Sequence, residues 1–300
     1  MEFFPPHVFS STDSDVGNAK ALLTHVLSIN TSALEIFSHN EDESAWYPLV
    51  RSILCGPSPA LPAASTAPTQ IEDLIAYFTP KTTTSTIPLV KVCEAQTKLL
   101  DQALLPTLNG RNIGNGKVDF VVQLNPEHPL LRDVLKLRKA NLGRGEWDIE
   151  FYSVLGDVSV AESPTVVLVE VKGLSGEYGE GGYQVGLAGL ALLKRMVMLA
   201  QSAEGEADID LTKMPPVPAV VVLGHMWFLH WMFFVEAGSD VGASAVEWEV
   251  VQLDPIYMCS TGSVAEVFRL CNVVDKLKEW AGQGAPEGFF GMWRDLLVGE

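Results

Sequence analysis

Positive charge is what this 300-residue sequence lacks most. It contains 20 Lys plus Arg against 37 Asp plus Glu, which gives a formal net charge of −17. Proteins that coat nucleic acid neutralise its phosphates with a surplus of Lys and Arg, so this balance argues against a simple basic protein of that class. Charged residues are few overall, at 19%, while hydrophobic residues reach an ordinary 47%. Such a composition excludes wholesale disorder, and the length allows one large domain or two small ones with a sizeable core.

Cysteine and targeting signals are also scarce. The four cysteines lie far apart and form no CxxC pair, which predicts free thiols in a reducing compartment. The first residues lack the basic and apolar regions of a secretory signal, so we expect an intracellular protein, cytoplasmic or nuclear. The uncharged stretch 214–235 contains three prolines and the pair Gly224–His225. It therefore predicts two buried strands rather than a membrane helix, and we expect no membrane partner.

The remaining pattern predicts a loose N-terminus over residues 1–15 and a single domain over 16–300. The expected parts of that domain are helices over 18–55, Pro-, Ser- and Thr-rich loops around a short helical piece (71–78) over 56–89, a core over 90–255 and C-terminal helices over 260–298. Within the core, strands and helices alternate, which indicates an α/β fold with helices packed on a mixed sheet.

The core elements follow from the spacing of apolar residues. The expected strands are 117–124, 165–172, 219–223, 227–235 and an edge strand over 246–253, with one or two further short strands over 149–160. The expected helices are 128–140 and 184–201, the second apolar nearly all round and hence buried, and a flexible glycine-rich loop is expected over 173–182.

Ionisable residues interrupt two of these apolar strands. Asp119 lies in the first strand, and Glu170 and Lys172 lie in the second, two residues apart and therefore on one face of the sheet. Charges on a buried face are costly unless they are paired or bind a metal, so the three residues suggest a site. The alternative is a structural salt bridge between Glu170 and Lys172 on an exposed face, since one acid-x-Lys tripeptide is expected by chance in so acidic a chain.

The order of these motifs resembles a known family. An Asp in one strand, about fifty residues, and then Glu-x-Lys in the next central strand is the pattern of the PD-(D/E)xK, or restriction-endonuclease-like, nuclease superfamily. More narrowly, the sequence resembles fungal PD-(D/E)xK nuclease-like domain proteins in the segments GKVDFVVQL, SPTVVLVEVKG, YQVGLAGLALLKRM and VLGHMWFLHWMF. The resemblance runs from about Glu43 to Trp293, and it departs at Val118, where the family pattern has Pro. It implies a restriction-endonuclease-like mixed central sheet flanked by helices, with helical N- and C-terminal additions.

The resemblance also implies roles for individual residues. Asp119 and Glu170 would hold Mg²⁺, or Mn²⁺, with the backbone carbonyl of Val171 as a further oxygen ligand. Lys172 would orient or deprotonate the attacking water and stabilise negative charge at phosphorus. Two more positions match the family less specifically. Gln184 is either a group that positions substrate or lysine or a polar residue at a helix start, and Glu43 is either an added metal ligand or a carboxylate that the helix dipole favours.

The scarce basic residues are concentrated between Arg132 and Arg144. Arg132, Lys136 and Lys139 stand on one face of the predicted helix and could contact substrate phosphates, although the pattern favours a solvated outer face. The sequence thus predicts a metal-dependent nuclease that hydrolyses phosphodiester bonds in DNA or RNA. The alternative is a nuclease-like fold with weak or no catalysis that serves as a binding or protein-interaction module. A homo-oligomer or a protein partner also stays open.

Overall fold

The apolar strands of the core pair into one seven-stranded mixed sheet. The computed structural model describes residues 13–57, 87–108, 111–112, 116–143, 150–204, 210–236, 248–285 and 287–298. The sheet strands are β1 (Val90–Glu94), β4 (Phe120–Leu124), β5 (Thr165–Lys172), β6 (Val217–Leu223), β7 (Met226–Glu236), β8 (Trp248–Gln252) and β9 (Ile256–Ser260). A separate small hairpin pairs β2 (Thr107–Leu108) with β3 (Arg111–Asn112).

The strands run in the order β1-β4-β5-β6-β7-β8, and β9 pairs with the first half of β7 beside β8. Only β5 and β6 pair in parallel within this sheet, and the other pairs are antiparallel. β4 and β5 are buried along their whole length, as expected for central strands rich in β-branched residues. The α/β class and the restriction-endonuclease-like arrangement are confirmed.

Six α-helices occur in the described residues and flank the sheet. They are α1 (Asp13–Ser38), α2 (Glu43–Cys55), α3 (Pro129–Asn141), α4 (Tyr178–Glu204), α5 (Val264–Gly282) and α6 (Phe289–Val298). Side-chain caps fix three of the helix starts, because Asp42 accepts the backbone N–H of Ser44 at α2, His128 accepts that of Leu130 at α3, and Ser263 accepts that of Glu266 at α5.

The helices lie on both faces of the sheet. α4 packs over β5 and β6, and a stretch of it has the length and hydropathy of a membrane span. Its packing against the strands, with 56% of that stretch buried, is that of a core helix. α2 lies on the opposite face, where the Tyr47 ring meets Phe120 edge-on at 6.0 Å. The end of the sheet where β5 stops is therefore enclosed by the first turns of α2 and α4.

Several expectations are corrected by this fold. The strands expected over 149–160 are absent from residues 150–160, which hold only a 3₁₀ turn at Val158–Val160 and one isolated bridge at Leu155. Side chains take the local backbone donors there, since Thr165 Oγ1 accepts from the N–H of Val154 and Asp157 accepts from that of Ser159.

The glycine-rich segment also differs from its prediction. It was expected to be a loop as far as residue 182, but α4 already begins at Tyr178. The expected helical piece at 71–78 lies outside the described residues, as does Arg144. No strands were expected at β1 or β9, although both segments pair with the sheet. All four cysteines are free thiols, as predicted.

Candidate active site

The pairing of β4 with β5 brings Asp119 and Glu170 together. Phe120 pairs with Val169, so Asp119, the residue just before β4, lies beside the end of β5 that carries Glu170. The backbone N–H of Asp119 donates to the Val169 carbonyl at 3.0 Å, which holds Asp119 next to β5. Two carboxyl groups 51 positions apart in sequence thus meet at one end of the sheet, close enough that the charge of Asp119 raises the pKa of Glu170.

Asp119 is held by the backbone of β5. Its Oδ2 accepts the backbone N–H of Val171 at 2.8 Å, and the side chain is 8% exposed. Burial raises the pKa of Asp119 to about 6, although the bonds from Val171 and Tyr47 oppose that shift. Hydrogen bonds thus fix the Asp119 side chain in position, but they and the nearby positive charge do not fully offset the effect of burial on its pKa.

Glu170 and Lys172 lie on the same face and are hydrogen-bonded to each other. Lys172 Nζ lies 3.0 Å from Glu170 Oε1, and the two residues are only 7% and 4% exposed, respectively. Burial and the neighbouring Asp119 raise the pKa of Glu170 to about 8. Burial alone would lower the pKa of Lys172, but the hydrogen bond and charge of Glu170, with further carboxylates, raise it above its ordinary value. Lys172 is accordingly a protonated ammonium at neutral pH.

The first turn of α2 adds a third carboxylate. Glu43 Oε2 lies 3.8 Å from Lys172 Nζ, and Glu43 Oε1 accepts the hydroxyl of Tyr47 at 2.8 Å. A side chain at Gly173 would place its Cβ 3.2 Å from the Glu43 backbone nitrogen, so a glycine permits α2 to approach β5 this closely. Glu43 also occupies the helix position that the dipole favours, and both interpretations of this residue fit its placement.

The first turn of α4 closes the other side. Glu180 Oε1 lies 3.5 Å from Lys172 Nζ. A Cβ at Gly181 would lie 2.9 Å from the Val221 side chain and 3.5 Å from that of Lys172, so the helix packs directly on the charged strand end. Gln184 follows one turn later, and its Oε1 is buried with no hydrogen-bond partner among the described residues. We call Glu43, Asp119, Glu170, Lys172 and Glu180 the carboxylate–lysine cluster.

The cluster suits a hard divalent cation only in part. Two buried carboxyl groups with raised pKa values share one nearby cation, Lys172, and carboxylate oxygens are the ligands that Mg²⁺ prefers. Within the described parts of the chain, however, no group of three or more His, Cys, Asp or Glu side chains is arranged to hold a metal ion. Asp119 and Glu170 would thus supply two ligands and leave the others to the Val171 carbonyl, water and substrate. Mg²⁺ tolerates such a site, because it usually keeps several waters.

The predicted basic face lies elsewhere. α3 follows the far end of β4, and Lys139 Nζ pairs with Glu162 at 2.7 Å, close to the start of β5 rather than its end. Arg132 and Lys136 are exposed on the same helix. The structure does not bring these three residues to the cluster, so a contact of theirs with phosphate stays a prediction for a separate surface.

Two members of the site were not singled out from sequence. Tyr47 contacts Glu43 and Asp119, and Glu180 contacts Lys172. Each residue lies within four positions of the start of a helix that begins at the strand end. That position in the sequence is the feature that could have identified them. Glu180 was instead assigned to a loop, where its position relative to Lys172 could not be derived.

Comparison with known proteins agrees with this geometry. No curated protein and no solved structure matches the chain. The sequence profile of the PD-(D/E)XK nuclease superfamily matches residues 2–283, and nucleases of this superfamily usually use divalent metal ions. Since the match spans nearly the whole chain and the Asp and Glu-x-Lys motifs meet at one end of the sheet, the protein belongs to the PD-(D/E)XK nuclease superfamily.

Proposed function

We propose that this protein is a divalent-metal-dependent nuclease that hydrolyses phosphodiester bonds at the carboxylate–lysine cluster. The observation that carries the proposal is the convergence of Asp119, Glu170 and Lys172 at one buried strand end, with Lys172 Nζ 3.0 Å from Glu170. Membership of the nuclease superfamily supports a nucleic-acid substrate.

Asp119 and Glu170 would hold Mg²⁺ or Mn²⁺, with the Val171 carbonyl as a further ligand. A bound divalent cation supplies charge neutralisation at phosphorus and activates water. Deprotonation of both carboxyls is required first, and their raised pKa values predict that cation binding strengthens as pH rises.

Lys172 acts as a cation in this proposal. Its raised pKa disfavours a general-base role, since a base must give up its proton near neutral pH. The ammonium instead donates hydrogen bonds that orient the attacking water and stabilise the negative charge that develops on the phosphate. Glu43 and Tyr47 position Asp119 and Lys172, and the unpartnered Oε1 of Gln184 is available to accept a hydrogen bond from Lys172 or substrate.

The test is cleavage of labelled single- and double-stranded DNA and RNA with Mg²⁺, Mn²⁺ or EDTA. We expect metal-dependent cleavage by the wild type, loss of cleavage in Lys172→Ala, and wild-type cleavage in Lys276→Ala. Lys276 is a matched control because its side chain is 69% exposed and pairs only with Glu279 among the described residues. Absence of cleavage of every polymer with either metal would refute the proposal.

A non-catalytic role is the second candidate, and one observation favours it. Lys172 is surrounded by three carboxylates in the cluster, and the predicted basic face lies at another part of the sheet. A phosphate approaching this end therefore meets excess negative charge unless a cation is bound. Under this candidate, the same assay shows no cleavage, and a calorimetric titration with Mg²⁺ or Mn²⁺ shows no binding.

A further inference from the structure

An aromatic cluster lies on the same face of the sheet as the carboxylate–lysine cluster. We propose that this cluster, Tyr178, Phe228 and Tyr257, receives an unpaired base, so that the substrate is single-stranded or locally unpaired nucleic acid. This inference rests on the proposed nuclease function, whose substrate class it names.

The strand register aligns the two clusters. Glu170 pairs with Val221, Val221 with Phe228, and Phe228 with Tyr257, so these residues form one row across β5, β6, β7 and β9. Paired residues point to the same side of a sheet, and neighbouring strands lie about 4.8 Å apart. Phe228 is therefore about 10 Å from Glu170 across the sheet and Tyr257 about 14 Å. A few nucleotides of single strand span a distance of this size.

The three rings are in contact, and the Tyr257 ring is the most exposed of them. The Phe228 ring lies 5.0 Å from that of Tyr178 and 5.8 Å from that of Tyr257. Tyr178 is anchored, because its hydroxyl bonds His230 Nε2 at 2.7 Å, and it opens the helix that carries Glu180. Tyr257 is 50% exposed, while the other two rings are partly covered. One planar group can thus stack on Tyr257 against rings that are already fixed.

Charge and size indicate a base as the occupant. The Tyr257 hydroxyl donates to Glu266 Oε1 at 3.3 Å, so a phosphate placed there would be repelled. A neutral base is not repelled, and base–aromatic stacking requires no basic residues. This suits a chain with a net charge of −17. A single half-exposed ring also offers far less area than the roughly 800 Å² per partner of a stable protein interface.

The test is binding to a short labelled oligonucleotide with a non-hydrolysable backbone, measured by fluorescence anisotropy on the full chain with Mg²⁺. We expect the single strand to bind more tightly than its duplex. Tyr257→Ala should weaken single-strand binding by about tenfold, and Tyr257→Phe should restore it because the ring remains. Met198→Ala is the control, since Met198 is 43% exposed and lies twenty residues along α4 from Tyr178, about 30 Å away.

An oligonucleotide with abasic sites separates stacking from a structural effect. If a base contacts Tyr257, the abasic strand binds the wild type as weakly as the normal strand binds Tyr257→Ala, and the two losses are not additive. Tighter duplex binding, no single-strand binding, or additive losses would overturn the inference. Failure of the nuclease proposal is distinct, because it would leave Tyr257-dependent binding without metal-dependent cleavage.

Discussion

Glu170→Gln is expected to stabilise the metal-free protein, and increasingly so as the pH rises. Glu170 is 4% exposed, and burial together with Asp119 raises its pKa from 4.5 to about 8. Between these two values the folded protein keeps a proton on Glu170 that the unfolded chain has lost. Folding stability then falls with rising pH, by up to about 1.4 kcal/mol per pH unit. A glutamine preserves the shape of the side chain and removes this dependence.

The expected size follows from the same numbers. From pH 6 to pH 8, a carboxyl with a folded pKa of about 8 and an unfolded pKa of 4.5 costs about 2 kcal/mol of unfolding free energy. The unfolding free energy falls as pH rises, because a carboxyl whose pKa is raised on folding contributes stability at low pH, and this contribution is lost as pH rises through the pKa of the folded state. The wild type should therefore lose about 2 kcal/mol more than Glu170→Gln over this interval.

Urea denaturation in EDTA at several pH values measures this difference. Glu279→Gln is the control, since the Glu279 side chain is 66% exposed and its replacement should leave the pH dependence of the wild type unchanged. Equal pH slopes for the wild type and Glu170→Gln would refute the reasoning, because they would show that Glu170 does not carry its proton into this range.

Three further predictions concern the residues around the site and the core. Arg138→Met should lower the unfolding free energy by about 3–5 kcal/mol in urea denaturation, because the buried guanidinium bonds the Leu199 and Leu297 carbonyls and pairs with Glu150; the exposed neighbour variant Arg132→Ala should stay within about 0.5 kcal/mol, and a similar small loss in both would contradict this. Gly181→Ala should lower the cleavage rate while changing the melting temperature little, since its Cβ would lie 2.9 Å from Val221 and displace the first turn of α4 from the cluster; an unchanged cleavage rate would speak against close packing there. Tyr47→Phe should move the acidic limb of the pH–rate profile upward, because loss of the Tyr47 hydrogen bond raises the pKa of Asp119 above about 6; an unmoved limb would show that this bond has no effect on Asp119.

The central strands and the buried ionisable residues Asp119, Glu170 and Lys172 could be predicted from sequence for clear physical reasons. Runs of β-branched residues identify β5 and β6, and an ionised residue inside such a run stands out because its burial is costly. The proximity of Asp119 and Glu170 could not be derived, since it depends on backbone pairing between segments far apart in the chain. The family resemblance indicated that they meet, and the structure supplies the geometry.

The missed features have local causes. Glycines disfavour helix formation, so the segment before residue 182 is typical of a loop, yet close packing on Val221 and Lys172 selects glycine inside α4. Arg138 was not singled out among the basic residues between Arg132 and Arg144, although it stands seven residues after Leu131 and three after Leu135. Both leucines are buried, and this spacing placed Arg138 on their face.

The rate of metal-dependent cleavage by the wild type and by Glu170→Gln tests the central claim most directly. Both proteins should be folded, and the glutamine variant at least as stable in EDTA, so a difference in rate reports on chemistry. We predict that the wild type cleaves nucleic acid with Mg²⁺ or Mn²⁺ and that Glu170→Gln loses cleavage by two or more orders of magnitude, on the order of a single essential electrostatic group. Equal rates for the two proteins would contradict the assignment of this strand end as the active site.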